Sequence, residues 1–272
     1  MGQANGRKSI FITGAASGIG AETARYFSGR GWFVGLYDID APRLSEVAAT
    51  IGEDNCHTGA LDVRDRGDWT RAVAGFCEAT GGQMNVLFNN AGVGRHGWFE
   101  DIEGKDNDWI IDVNLKGVIQ GVEACLEALK ATPGARIINT ASTAGIVGAP
   151  QLAVYSATKF AVRGLTEALD VEFSPLDIRV VSLMPWFIDT PILDMGASSE
   201  SNERMADQIR ARGAEVYPVS MAAEMTWEAA HGDDVHYMVG KDAKRARFAA
   251  RFFPKRLRKR LVADLPARDA AP

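Results

Sequence analysis

The first 185 residues alternate between short apolar runs and longer stretches in which apolar residues recur every three or four positions. A run such as Ser9-Ile10-Phe11-Ile12-Thr13 is typical of a buried strand, and the longer spacing is typical of an amphipathic helix. We therefore predict strands at 9–13, 32–37, 56–61, 85–89, 135–140 and 178–183. Helices are predicted between them at 21–29, 43–51, 68–79, 107–130 and 155–173.

Strict alternation of strands and helices predicts parallel strand pairing with right-handed crossovers. The expected fold class is α/β, a doubly wound parallel sheet of the Rossmann type in a single domain. The alternation of strand and helix patterns stops after Pro185. Residues 186–218 are interpreted as a substrate lid, because ligands of such sheets bind beyond the carboxyl ends of the strands. A helix at 221–231 and a strand at 236–239 follow, so residues 1–240 form the catalytic domain and 241–272 a basic extension.

The composition is that of a globular protein, with 46% hydrophobic and 24% charged residues. It excludes collagen, low-complexity disorder and a disulfide scaffold. No apolar run is long enough to cross a bilayer and no signal-peptide core precedes the first strand, so we expect a cytoplasmic protein. The three cysteines lie far apart without a Cys/His cluster, which predicts free thiols and no metal site.

Charge is distributed unevenly along the chain. Residues 241–260 hold ten Lys or Arg and one Asp, a local charge of +9, whereas the whole chain carries −5 and the other 252 residues therefore carry −14. An acidic body with a basic end is not typical of a nucleic-acid-binding domain, so no nucleic-acid partner is expected.

The basic extension also carries an apolar stripe at helical spacing. Two interpretations are open. Residues 241–261 could lie on an anionic membrane surface with Phe252 and Phe253 dipping in, or the stripe could pack on the enzyme or a neighbouring subunit. We favour packing, because the segment is short, is interrupted by Pro254 and has no second anchor. The stripe consists of Ala246, Ala250, Phe253, Leu257 and Leu261.

A glycine-rich turn follows the first strand and precedes the first helix. Gly14 permits a tight turn, Gly18 lets the backbone approach a pyrophosphate, and Gly20 allows close packing of helix on strand. The helix N-terminus adds free N–H groups and a positive dipole end. Ser17 and Ile19 belong to the same predicted cofactor site.

The second strand ends at Asp38, which is 18 residues beyond Gly20. A carboxylate at that place can accept hydrogen bonds from the adenosine ribose and repels a 2′-phosphate. No Lys or Arg lies within the glycine turn or directly after Asp38. We therefore predict NAD as the cofactor rather than NADP.

Three residues near the fifth strand suggest the chemistry. Ser142 follows that strand, and Tyr155 and Lys159 are four positions apart, so that they share one face of the next helix. With Thr13-Gly14-x-x-x-Gly18-Ile19-Gly20, Asn89-Asn90-Ala91-Gly92 and Val113-Asn114-Leu115, they stand in the order and spacing of the short-chain dehydrogenase/reductase family. From about residue 8 to 192 the chain resembles that family, which implies hydride exchange between a nicotinamide cofactor and an alcohol or carbonyl.

The resemblance implies a role for each matching residue. Tyr155 would be the general base in oxidation and the general acid in reduction, with its pKa lowered by Lys159 together with the positive nicotinamide ring. Ser142 would hydrogen-bond the substrate oxygen, and Lys159 would also hold the nicotinamide ribose. The remaining assignments are Asn114 to a proton-relaying water, Asn90 to the adenosine ribose, Asp62 and Val63 to adenine, and Thr190 to the nicotinamide carboxamide.

One position departs from the family pattern. Trp186 follows Pro185 where the family usually has glycine, and its ring could line the substrate pocket or point into the core. With Trp98, Val147 and Leu152 it forms a predicted apolar pocket, which suits a hydrophobic alcohol or ketone better than a sugar.

We therefore predict an NAD-dependent oxidoreductase acting on a hydrophobic secondary alcohol or ketone. The alternative is a catalytically silent dinucleotide-sensing protein on the same fold. The resemblance also implies a homodimer or homotetramer. Its contact would use the helices from about Asn107 and Tyr155, whose apolar residues could equally pack inside the subunit. These residues are Val118, Val122, Cys125, Ala161, Leu165 and Leu169.

Overall fold

Seven parallel strands form one sheet in the order β3-β2-β1-β4-β5-β6-β7 in the computed structural model. The structure describes residues 2–194, 205–211 and 213–265. Helices cover both faces of the sheet, so the predicted doubly wound α/β class is confirmed.

The strands lie close to their predicted positions. Their bounds are β1 Ser9–Thr13, β2 Phe33–Asp38, β3 Cys56–Ala60, β4 Val86–Asn89, β5 Arg136–Thr140, β6 Arg179–Pro185 and β7 His236–Val239. The α-helices are α1 Gly18–Ser28, α2 Ala41–Ile51, α3 Arg66–Thr80, α4 Gly104–Ile111, α5 Gly117–Lys130, α6 Ala153–Glu172, α7 Met205–Ala211, α8 Val219–His231, α9 Lys241–Phe252 and α10 Pro254–Ala263.

Two apolar cores lie on opposite faces of the sheet. On one face α1, α2 and α8 pack against the strands through residues such as Phe27, Val47 and Ala229. On the other face α3 and α5 pack through Trp69 and Leu129. Because every residue of the central strand β1 is buried, its sequence is a continuous apolar run rather than an alternating one.

The prediction of one continuous helix at 107–130 is wrong. The structure has α4, then a π-helical turn over Asp112–Lys116, then α5. Such turns occur frequently at functional sites, and this one contains Asn114. Apolar residues recur at helical spacing on both sides of this turn, so periodicity alone predicts one continuous helix.

The segment after β6 is tied back to the body at its far end. Ile188 and Tyr217 form an isolated parallel bridge, and the Arg210 guanidinium lies 3.1 Å from Asp189. The segment also contains the short helix α7. The rest of the predicted lid, residues 195–204 and 212, lies outside the described residues.

The basic extension is attached mainly through its first turn. Ala243 is buried in a small core with Met184 and Met238. Along the predicted stripe Ala246, Ala250, Leu257 and Leu261 are half-buried and Phe253 is exposed. Within the described part of the chain no residue of α10 is buried, so the subunit body covers the stripe only in part.

The residues suggested for a subunit contact divide into two groups. Val118, Val122 and Cys125 are buried inside the subunit and do not form a shared outer face. Ala161, Leu165 and Leu169 on α6 are half-buried. Periodicity identifies an apolar face but not which of two neighbours will cover it.

Candidate active site

The turn between β1 and α1 forms a cradle that only small residues can build. Gly14 and Gly18 have φ angles of +68° and +51°, a region that favours glycine. A Cβ on Gly18 would lie 3.1 Å from Cγ2 of Thr190, and a Cβ on Gly20 would overlap the carbonyl oxygen of Gly14. Ser17 is the N-cap of α1 and its side chain makes no capping bond. The turn therefore fits a dinucleotide phosphate at the helix N-terminus.

Asp38 lies at the carboxyl end of β2, beside this turn. Its Oδ2 accepts a hydrogen bond from the Ala16 N–H at 3.1 Å, and its Oδ1 accepts one from Asp40 N–H at 3.1 Å. The carboxylate is half-buried and each of its oxygens can accept a further bond. Its position fits the ribose of a dinucleotide whose phosphates lie on the turn.

Asp62 and Val63 follow β3 and differ in accessibility. Asp62 is held by the Arg64 guanidinium, with Nη2 2.6 Å from Oδ2, and the Arg64 hydrogen bond lowers the pKa of this carboxyl. Val63 is buried, and its carbonyl accepts a bond from the Trp69 indole at 3.0 Å. Both residues lie at the adenine end of the predicted cofactor site, where contact with adenine stays a prediction.

Asn90 braces the glycine turn from below. Its Nδ2 donates to the carbonyl oxygens of Thr13 and Gly14 at 3.0 and 3.3 Å, and its Oδ1 accepts from Thr140 Oγ1 at 3.4 Å. These hydrogen bonds show that Asn90 holds the glycine turn in place, and its contact with a ribose stays a prediction. Thr190 lies on the other side of the turn, with its hydroxyl donating to Ile188 O at 3.2 Å and its methyl facing Gly18.

Ser142, Tyr155 and Lys159 come together beyond the carboxyl end of β5. The Ser142 hydroxyl lies close enough to the Tyr155 hydroxyl to act on its pKa. The Lys159 Nζ donates to the carbonyl oxygen of Thr140 at 2.7 Å and lies 5.5 Å from the centre of the Tyr155 ring. Lys159 is only 2% exposed, so its ammonium is fixed beneath the phenol.

Burial acts on the two titratable groups in opposite directions. It raises the pKa of Tyr155 above the ordinary 10, an effect that the Ser142 hydroxyl opposes. It lowers the pKa of Lys159 from 10.5 to about 8. The chain alone therefore keeps Tyr155 protonated at neutral pH. A lowered tyrosine pKa, which we expect from Lys159 and a positive nicotinamide ring together, stays a prediction.

Asn114 holds the backbone next to this trio. Its Oδ1 accepts from the Val93 N–H and its Nδ2 donates to the Val93 carbonyl, both at 2.8 Å. Nδ2 also lies 3.5 Å from Thr158 Oγ1. The side-chain amide is thus engaged with Val93, and its predicted part in holding a water is untested.

Three segments predicted to line the substrate pocket meet around Tyr155. Gly94 lies beside the phenol ring, where an added Cβ would be 3.7 Å from Tyr155 Cδ2. The Gly97 N–H donates to the Gln151 carbonyl at 3.0 Å, and the Thr143 hydroxyl donates to the Pro185 carbonyl at 3.1 Å. The structure therefore links the segments that carry the half-buried side chains of Trp98, Val147, Leu152 and Trp186.

Trp186 is only partly covered by the apolar cores. Its half-buried ring packs against two of the apolar cores and lies 5.1 Å from the Phe187 ring. Its indole nitrogen is buried and has no hydrogen-bond partner among the described residues. The ring thus packs partly on the core, and its role in a substrate pocket stays a prediction.

Sequence reasoning missed several supporting residues. The Thr13 hydroxyl accepts from the N–H groups of Asn90 and Ala91, both at 3.0 Å, and the Thr140 carbonyl holds Lys159. Thr13 stands within a quoted motif and Thr140 lies two residues before Ser142, and that adjacency was the available signal. Tyr217 gave no signal, although its hydroxyl donates to Asp242 at 3.0 Å and ties the lid to the extension.

Within residues 2–194, 205–211 and 213–265, no group of three or more His, Cys, Asp or Glu side chains could hold a metal ion. The cysteines are free, with Cys56 and Cys125 buried and Cys77 half-buried. In the same part of the chain no helix is both long and apolar enough to span a membrane.

Comparison with known proteins settles the family. A family model described as short chain dehydrogenase matches residues 8–204. This chain belongs to that family. A relative from Mycobacterium tuberculosis, a 3-alpha-(or 20-beta)-hydroxysteroid dehydrogenase, is 38% identical over 187 residues, which are 69% of this chain and 71% of the relative. Members of the family are oxidoreductases, and the chain is accordingly one of them.

Solved members of the short chain dehydrogenase family share the fold. A 3-ketoacyl-(acyl-carrier-protein) reductase from Brucella melitensis, complexed with NADH, is 30% identical with a TM-score of 0.75, covering 85% of this chain and 96% of its own. A family member from Burkholderia phymatum, in complex with NAD, is 25% identical with a TM-score of 0.80 over the whole of both chains. Another similar structure holds 5-hydroxy-NADP.

Proposed function

We propose that this short chain dehydrogenase is NAD-dependent and interconverts a hydrophobic secondary alcohol and its ketone, with Tyr155 as the proton-transferring group. The observation that carries the proposal is the placement of Tyr155 between Ser142 and the buried Lys159 at the carboxyl edge of the sheet. That edge also carries the glycine cradle, so proton transfer and cofactor binding share one cleft.

Each side chain has a defined part in the proposed reaction. When bound, a nicotinamide dinucleotide supplies the hydride acceptor or donor and, when oxidised, a positive ring. Tyr155 takes the hydroxyl proton of the alcohol in oxidation and returns it to the carbonyl oxygen in reduction. Ser142 hydrogen-bonds the same oxygen and stabilises its negative charge. Lys159 holds a positive charge under the phenol and favours the phenolate.

Asp38 supports NAD as the preferred cofactor. Its carboxylate lies beside the glycine turn, where it can accept bonds from ribose hydroxyls and where a 2′-phosphate would meet a like charge. Arg64 stands further along, but its guanidinium is paired with Asp62. The relatives that hold NADH and NAD agree with this preference, and the one with 5-hydroxy-NADP makes it worth measuring.

The apolar lining supports a hydrophobic substrate. Trp98, Val147, Leu152 and Trp186 lie on segments that the structure joins around Tyr155. The mycobacterial relative is named for hydroxysteroids, which are bulky hydrophobic secondary alcohols. We infer a substrate of that general kind, aromatic or steroid-like, rather than a polyol.

The test is a panel of secondary alcohols and ketones of increasing apolar size, assayed with NAD or NADH by the absorbance of NADH. We expect kcat/KM to rise with apolar size until the pocket is filled. Small polyols as the best substrates would contradict the substrate proposal while leaving the reaction type intact.

Tyr155→Phe tests the proton-transfer role separately. The variant keeps the packed ring and removes only the hydroxyl, so turnover should fall by about 10²–10⁴-fold while NADH still binds. Fluorescence titration of NADH provides the binding control. Near-normal turnover would exclude the Tyr155 assignment. Cofactor binding by the unmodified protein without turnover of any panel member would instead support the dinucleotide-sensing alternative.

We also propose that the subunits form a homodimer or homotetramer through α6. Phe160 and Val171 on this helix are large apolar residues with exposed fractions of 43% and 73%. Sedimentation velocity of the unmodified chain would measure the assembly directly. A monomer at micromolar concentration would contradict the proposal.

A further inference from the structure

The C-terminal extension begins with a firm attachment to the subunit body. Lys241 pairs with Glu215 at 2.6 Å, and the Tyr217 hydroxyl donates to Asp242 at 3.0 Å. Ala243 is buried beneath this first turn of α9. The orientation of α9 is therefore set by the body.

Beyond this turn, three phenylalanines form an exposed aromatic patch. Phe248, Phe252 and Phe253 have exposed fractions of 58%, 57% and 46%. The Phe248 ring is near both of the others, with centroids 4.8 Å apart for Phe248 and Phe252 and 5.9 Å apart for Phe248 and Phe253. Apolar surface gathered in this way in water is unfavourable and indicates a surface that another phase or molecule covers.

Basic side chains surround the aromatic patch. The Arg251 guanidinium lies 5.9 Å from the Phe252 ring centre, and the Arg256 guanidinium lies 5.7 Å from that of Phe253. The described chain gives no carboxylate within ion-pair distance to seven cations of this region. We call these seven the basic rim: Lys244, Arg247, Arg251, Lys255, Arg256, Arg258 and Lys259.

A groove of about 390 Å³ runs along the inner side of the patch, between α8, β7 and α9. Met225, Phe248 and Phe252 give it an apolar wall, while Lys244 and Arg251 stand on the same wall. Glu228 and Asp234 line the groove as well, so its charge is mixed, and the cations available to a phosphate are the exposed ones of the basic rim.

We propose that the aromatic patch and basic rim bind the surface of an anionic lipid bilayer. Charge complementarity favours this occupant, because within the described chain the rim cations have no ion-pair partner, although the 252 residues outside 241–260 carry −14. A lipid surface matches both components, with phosphates for the rim and the acyl boundary for the rings. This inference does not rest on the proposed reaction or substrate.

The experiment is co-sedimentation of the full chain with vesicles at about 0.15 M ionic strength. One set contains phosphatidylglycerol and phosphatidylcholine, and the other contains phosphatidylcholine alone. We expect binding to the anionic set only. Lys255→Gln with Arg258→Gln should weaken it by about 30-fold, since each cation near an anionic surface contributes about fivefold. Phe252→Ser with Phe253→Ser should weaken it at least about tenfold.

Matched controls use exposed residues of the body. Leu176→Ser and the pair Lys105→Gln with Lys130→Gln should leave vesicle binding unchanged. Thermal melting should show every variant folded. Binding to neither vesicle set, equal binding to both, or unchanged binding by the patch and rim variants would overturn the proposal. Sedimentation velocity is run in parallel, and a change of assembly in the patch variant without any lipid binding would assign the surface to a second copy instead.

Discussion

The turn after β1 and the segment after β6 both lie at the site, yet they are held in different ways. Around the turn, Thr13 and Asn90 exchange hydrogen bonds of 3.0 Å that lock β1 to the loop after β4. The segment after β6 is instead fixed by partners that come late in the chain, through the bridge of Ile188 to Tyr217 and the bond of Tyr217 to Asp242.

The sequence therefore specifies the cofactor side and the substrate side of the site in different ways. The cofactor side depends on backbone shape, and a short glycine motif specifies it. The substrate side depends on how distant segments pack, and single residues there can change with less effect. Perturbations of the cofactor side should therefore be more damaging than perturbations of the lid attachment.

The largest effect is expected for Gly20→Ala. The added methyl would overlap the carbonyl oxygen of Gly14, and the turn would have to open. We expect a loss of about 2–3 kcal/mol in NADH binding, or roughly a hundredfold in Kd. Gly104→Ala is the control, because nothing lies within 4 Å of its added Cβ. Calorimetric titration of both variants would measure the difference, and equal affinities would remove the distinction between the two regions.

The substitution Lys159→Met tests how the buried Lys159 ammonium contributes to the stability of the fold. Because the folded pKa of about 8 lies below the ordinary 10.5, the unfolded chain binds more protons between these values. The contribution of Lys159 to stability therefore rises with pH across that interval. The methionine variant lacks this dependence.

The quantity to measure is the difference in free energy of unfolding between the parent protein and the Lys159→Met variant, and this difference should change with pH. Relative to Lys159→Met, the parent should gain about 2 kcal/mol in free energy of unfolding from about pH 7 to pH 9.5. Urea unfolding at both pH values would test this. A gap that does not change with pH would mean that the lysine titrates normally.

Asp38→Ala should alter cofactor choice by about tenfold. The parent is expected to favour NAD over NADP by at least about tenfold in kcat/KM, which corresponds to about 1.4 kcal/mol. Removing the carboxylate weakens the ribose contact and relieves repulsion of a 2′-phosphate, so the ratio should narrow. Steady-state kinetics with both cofactors would decide, and equal use of both by the parent would refute the role of Asp38.

The smallest effect is expected for Tyr217→Phe. Loss of the bond to Asp242 should cost about 1 kcal/mol of stability and lower kcat/KM for a bulky substrate a few-fold through the lid. NADH affinity should stay the same. Tyr26→Phe is the control, since its hydroxyl has no hydrogen-bond partner in the described ranges. Identical behaviour of the two variants would show that the Tyr217 hydroxyl does not position the lid.

The sheet and the cofactor side could be predicted from sequence because their signals are local. A continuous apolar run marks each central strand, and Gly14, Gly18 and Gly20 mark a turn whose φ angles and close approaches require glycine. Tyr155 and Lys159 were predictable as a pair because four residues make one helical turn.

The remaining features depend on contacts that no local pattern reveals. The π-turn at Asn114, the partly buried ring of Trp186 and the attachment of Tyr217 to Asp242 follow from tertiary packing. The direction of the Tyr155 pKa was also inaccessible, since desolvation depends on what the fold places around the phenol.

The last strand, β7, lies at the edge of the sheet, and the C-terminal extension packs next to it. This arrangement affects how a truncated protein would behave during expression. An edge strand presents unpaired backbone groups that can recruit other chains. Here Gly240, with a φ of +90°, turns the chain so that α9 packs back against β7. A protein truncated at this glycine would lose Ala243 and uncover the apolar surface around Met184 and Met238 beside this edge during expression. Aggregation and low soluble yield would then precede any measurable change in turnover, so point variants suit this region better than deletions.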